Sequence, residues 1–139
     1  MKNLIVIASF LVLLTGCKMS STGSKSGTEL KNTKWVLETI NDKTVTTPEN
    51  RNEIHIFLET ENDNFNGFAG CNRIFGPVTV DGKKIDLSKT ASTMMACDLM
   101  GLETEFLTAL RSADAYEIKG GKLNLLSGGK AVLTFKAGL

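Results

Sequence analysis

Three turn signals constrain the fold of this chain more than any other feature. Val78-Thr79-Val80 runs into Asp81-Gly82 and then Lys83 to Leu87. Asp-Gly accepts the positive φ angles of a type I′ turn, whose twist matches paired strands. Tyr116 to Lys119, Gly120-Gly121 and Lys122 to Leu126 repeat the pattern, and Gly128-Gly129 then leads into Ala131 to Phe135. Two glycine pairs so close together predict an antiparallel meander ending the chain. Upstream, Thr33 to Ile40 reads as a first strand, and the polar stretch Asn41 to Asn52, with Pro48, reads as a loop. Glu53 to Glu59 alternates: Ile54, Ile56 and Leu58 face one way, Glu53, His55 and Glu59 the other. After a turn cluster at Glu61 to Asn64, Phe65 to Ala69 is placed to pair back.

One helix stands out, near Asp98 to Ser112. Leu102, Phe106, Leu107 and Leu110 share a face, and Asp98 is a candidate N-cap. Glu103 and Glu105 lie early and Arg111 late, as the helix dipole favours. Strands, one helix, then more strands predict an α+β fold. Its expected form is a strongly curved antiparallel β-sheet, partly barrel-like, with one main α-helix on it.

The N-terminus carries a different message. Lys2 precedes an uncharged apolar run from Leu4 to Leu14, followed by Thr15-Gly16-Cys17. This describes a signal peptide, and the run is too short for a transmembrane helix. The segment resembles a bacterial lipoprotein signal, which makes residues 1–16 the cleaved peptide and Cys17 the acylated first residue. Ordinary cleavage nearby, leaving Cys17 free, is the alternative. Residues 17–28, rich in Ser, Thr and Gly, read as a tether holding the domain ~20 Å from the membrane. Residues 29–139 are the expected domain, a length suited to one core. Loss of Lys2 balances the sixteen basic and fifteen acidic residues. With no basic excess, no Lys/Arg block and no interleaving of aromatic and basic residues, nucleic acid is not an expected partner.

Removing Cys17 from three cysteines leaves Cys71 and Cys97, an even remainder that in an exported protein suggests a disulfide. Two thiols that never meet are the alternative. Catalytic machinery is thin. The single histidine, His55, sits on a strand and reads as a surface or packing residue. Without a second histidine or a Cys-x-x-Cys, neither a zinc site nor any other metal or cofactor is expected. Glu59 to Asn64 lacks the glycine and glutamate spacing of a calcium loop and reads as a solvated turn.

The stretch Asn66-Gly67-Phe68-Ala69-Gly70-Cys71-Asn72-Arg73-Ile74-Phe75-Gly76 is unusual, as is Thr93-Met94-Met95-Ala96-Cys97, followed by Glu103, Phe106 and Leu110 on the helix. With the opening Asn32-Thr33-Lys34-Trp35-Val36-Leu37, these resemble the META domain over about residues 30 to 136. That family includes heat-inducible bacterial lipoproteins. The resemblance implies a compact α+β domain with a bent sheet, an envelope location and links to stress tolerance, and it supplies no active site.

Two roles are open for the motif residues. In the structural one, Gly67 and Gly70 permit unusual backbone geometry, Asn66 and Asn72 bond the backbone of a bent strand, and the cysteines lock the bend to the segment before the helix. In the functional one, Asn66, Asn72, Arg73, Met94 and Met95 form a binding patch, with Arg73 gripping a carboxylate. The expectation is a non-enzymatic, monomeric lipoprotein, anchored through Cys17, by the residue after it in the outer membrane facing the periplasm. It would bind an envelope protein or cell-wall ligand. The alternative is an inhibitor of a secreted protease or lysozyme.

Overall fold

A computed structural model describes residues 28–138 of the chain. The expected signal peptide, Cys17 and nearly all of the expected tether lie outside the described residues. The elements are β1 Lys34–Ile40, β2 Lys43–Thr44, β3 His55–Leu58, β4 Asn64–Phe68, β5 Arg73–Pro77, β6 Thr79–Asp81, β7 Lys84–Asp86, β8 Ala91–Ser92, α1 Met100–Ser112, β9 Ala115–Lys119, β10 Lys122–Ser127 and β11 Lys130–Ala137.

The strands form one antiparallel sheet in the order β6-β7-β9-β10-β11-β1-β3-β4-β5-β8, with β2 attached to β1 outside that path. The sheet is strongly curled into a half-barrel, and α1 packs on β11 and β1. This is the expected α+β architecture. Both glycine pairs form two-residue turns with φ positive at each glycine, closed by Lys119↔Lys122 and Ser127↔Lys130. The Asp81-Gly82 turn differs from expectation by one residue. Asp81 pairs with Lys84, so Gly82 and Lys83 are the loop, and only Gly82 takes a positive φ. That is the type II′ pattern, which needs glycine at its first central position alone.

The stretch expected to be a plain loop begins with a further reversal. Asn41 and Asp42 both adopt positive φ, and Lys43 and Thr44 pair back onto Ile40 and Thr39. Short polar side chains tolerate this region better than others. Two short pieces, β5 and β8, also extend the sheet beyond the expected strands.

The core follows the alternation. Ile54, Ile56 and Leu58 are buried, as are Leu123, Leu125, Leu133 and Phe135 from the meander. Trp35 is fully buried, and its indole N–H donates to Leu30 O at 2.9 Å. The helix buries Phe106, Leu107, Ala109 and Leu110, and Phe106 meets Phe135 edge-on at 6.3 Å between ring centres. The helix start departs from expectation. The N-cap residue is Leu99, with no side-chain cap bond. Asp98 instead turns to Arg51, 2.7 Å away. Truncating the core should be far costlier than truncating the outer face. Phe106→Ala is expected to lose ~3–5 kcal/mol in urea unfolding, and Phe75→Ala, half exposed, to stay within ~0.5 kcal/mol.

Candidate functional site

Two arrangements meet at the turn between β4 and β5, one internal and one on the surface. The internal one is built on Glu103. This residue, expected early in the helix as the dipole favours, is 3 % exposed and points into the interior. Its carboxylate accepts from the backbone N–H of Cys71 at 2.9 Å and of Asn72 at 2.8 Å, and from the Asn72 side-chain amide at 2.7 Å. Burying a carboxylate is tolerable only when such donors replace water.

Asn72 is itself 2 % exposed and spends its side chain inward. Its Nδ2 also donates to Met95 O, and its Oδ1 accepts from Met95 N–H at 2.7 Å and from Thr93 Oγ1 at 2.9 Å. One asparagine thus joins the β4–β5 turn, the helix and the segment leading into it. The Cys71–Cys97 disulfide ties the same two segments, with Cα atoms 5.7 Å apart. Gly70, at φ +118°, makes the turn possible, and Gly67 lets β4 lie close on β3. A Cβ on Gly67 would sit 2.2 Å from His55 O.

The surface arrangement lies on the outer side of β3, β4 and β5. A groove of about 670 Å³ is lined by Lys34, Arg51, Glu53, His55, Asn66, Phe68, Arg73 and Phe75 among others. Register explains the gathering. Lys34, Phe57, Asn66 and Phe75 form one row across four strands, and His55, Phe68 and Arg73 form the next. Side chains of one row face the same way because strand residues alternate. Lys34 donates to Glu53 at 2.9 Å. That bond, with the nearby charges of Lys34, Lys136 and His55, holds the Glu53 carboxyl below the usual glutamate value of 4.5. His55 Nδ1 lies 2.8 Å from Glu53 O, so Nδ1 carries the proton. Arg73 makes no ion pair among the described residues.

The five candidate patch residues therefore do not share one surface. Asn66 and Arg73 lie in the groove, with Asn66 Nδ2 donating to Glu59 at 3.1 Å. Asn72 is interior. Met94 and Met95, 98 % and 64 % exposed, border a separate hollow of about 390 Å³ with Met100 and Arg111, and the buried Asn72 reaches its wall. Glu59 to Asn64 closes as a turn, with Glu59 N–H donating to Asn64 O at 3.0 Å. Among the described residues there is no group of three acidic, His or Cys side chains placed to hold a metal. None of the described helices is long and apolar enough to cross a membrane.

The META domain family model matches residues 28–138, which takes in both arrangements. The chain belongs to the META domain family. The solved structure of a Burkholderia xenovorans protein superposes on this META domain with a TM-score of 0.64 at 26 % identity. The match covers 78 % of this chain and 83 % of that one. A second solved structure has a TM-score of 0.61 at 25 % identity, covering 77 % and 90 %. No curated protein matches in sequence.

Sequence reasoning missed Glu103 as the internal anchor of this META domain, and Lys34, Arg51, Phe68 and Phe75 as groove residues. For Glu103 a signal was present: it falls one position after Leu102 and three before Phe106, at the edge of the apolar face. Glu103→Gln puts an amide NH₂ against at least one donor. It is expected to cost ~1.5–3 kcal/mol in urea unfolding at neutral pH, while Glu105→Gln on the same helix should change stability by no more than ~0.5 kcal/mol.

Proposed function

We propose that this META domain is a non-catalytic binding module of the bacterial cell envelope. In this reading it is anchored through a lipid on Cys17 in the outer membrane and acts in stress tolerance by holding an envelope component. The groove on β3, β4 and β5 carries the proposal. It sets an unpaired guanidinium beside exposed aromatic surface on a rigid sheet, and pre-ordered groups lose little entropy on binding. The lipobox-like Thr15-Gly16-Cys17 and the family's bacterial lipoproteins support the location. The described chain starts near the Leu58 end of β3, where Asn32 N–H donates to Leu58 O. The Arg51–Glu53 rim lies at the other end of that strand.

The test is a photo-crosslinking amino acid at position 75 of the full lipoprotein in living cells. A discrete adduct is expected, lost with Arg73→Ala and not formed from position 119 at the exposed end of β9. The same adducts from both positions, or adducts indifferent to Arg73, would count against the groove.

One observation favours the inhibitor alternative. Met94 is almost fully exposed, on an irregular segment fixed on both sides. Thr93 N–H donates to Arg73 O at 3.1 Å, Asn72 holds Met95 at both backbone groups, and Cys97 is bridged. A protruding apolar side chain on a pre-ordered backbone suits the cleft of a protease that prefers apolar residues. Nanomolar inhibition of such an envelope protease, lost with Met94→Asp, is the outcome expected of an inhibitor. A panel of apolar-specific proteases left fully active would eliminate it.

A further inference from the structure

We propose that the groove on β3, β4 and β5 binds an anionic sugar chain, a saccharide carrying carboxylate, sulfate or phosphate groups. This rests on the binding-module reading above and names the class of ligand for the same surface.

The surface combines two features that separate elements of the sequence do not show together. Phe57, Phe68 and Phe75 come from three strands and stand on one face, the last of them 51 % exposed. Asn66 lies directly between Phe57 and Phe75 in the register. The three strands span about 10 Å across the hydrogen-bonding direction. Flat apolar rings interrupted by one amide match a pyranose, which offers a C–H face to an aromatic ring and hydroxyls to an amide.

Charge supplies the second half. Lys34, Arg51 and Arg73 border the groove against one acid of its lining, Glu53. Lys34 is bonded to Glu53 and Arg51 to Asp98, which leaves Arg73 as the guanidinium available for a bidentate bond to an oxyanion.

An acidic peptide fits less well. On β3 and β4 the main chain is paired on both sides, and β5 pairs with β4 and β8. An extended peptide therefore gains few main-chain hydrogen bonds there. It would use the cations and leave the aromatic faces uncovered. Single-stranded nucleic acid would use the aromatic faces, but it presents a phosphate at every nucleotide, and its affinity rests on neutralising many of them. One available guanidinium, in a chain with balanced charge, suits a sparser anion.

The experiment is calorimetric titration of the full lipoprotein, purified in detergent micelles, with oligogalacturonate, dextran sulfate and phosphomannan. Neutral galactan, polyglutamate and oligothymidylate are the comparison arms. At least one anionic saccharide should bind. Its affinity should fall about tenfold or more with Arg73→Ala, the loss expected for a charge-assisted bond. With Phe75→Ala it should fall about fivefold or more, as for a lost stacking face. Met94→Ala should leave it unchanged, and galactan should bind at least about tenfold more weakly. Equal binding of polyglutamate or oligothymidylate would overturn the sugar assignment. So would silence from all three anionic saccharides, or binding unaffected by both groove substitutions. If the position-75 crosslink still depends on Arg73 in those cases, the groove is a binding site for another class. If it does not, the binding-module reading fails as well.

Discussion

A buried carboxylate organises the β4–β5 turn and the surface built on it. Glu103 projects from the first turn of the helix into the β4–β5 turn, where water is excluded and three N–H groups replace it. A carboxylate in that position is costly unless every donor is held in place. The same bonds therefore fix the turn to the helix. Asn72 extends the lock to Thr93 and Met95, and the disulfide closes it from the other side. The covalent link alone fixes one distance between two segments. The Asn72–Glu103 network fixes their orientation as well.

That lock sets the geometry of the outer face. Asn72 turns inward and its neighbour Arg73 outward, so holding the asparagine aims the guanidinium into the groove. Gly67 contributes to the groove wall between Asn66 and Phe68, which stand to either side of it. The unusual motif from Asn66 to Gly76 is thus divided by the pleat. Its inner half secures the fold, and its outer half supplies the chemistry of the proposed binding surface.

Much of the architecture was legible in the sequence because local rules agree with the fold. The glycine pairs specify their turns, the alternation around Ile56 specifies the buried face of β3, and the Phe106 face specifies the helix. The Asn41-Asp42 reversal carried a local signal too, but the polar run with Pro48 after it masks the two-residue strand. β5 and β8 are short, and Gly76 and Pro77 break the alternation of the first. Their place in the sheet comes from tertiary pairing. The groove was not legible, because its phenylalanines and cations lie far apart in the chain and meet only through register. Asn72 and Asp98 illustrate a related limit. Each is a polar residue with several possible local partners, and packing chose Glu103 for the first and Arg51 for the second.

Amide hydrogen exchange on the folded protein tests the central lock most directly. The N–H groups of Cys71, Asn72 and Met95 lie in a turn and an irregular segment, where exchange is ordinarily fast, yet each donates to a buried side-chain acceptor. The account predicts that all three exchange as slowly as the core amides of β10 and β11, only on global unfolding, while Met94 between them exchanges fast. Exchange of Cys71 and Asn72 at rates typical of exposed loops would contradict it. It would show that the buried carboxylate does not hold the turn.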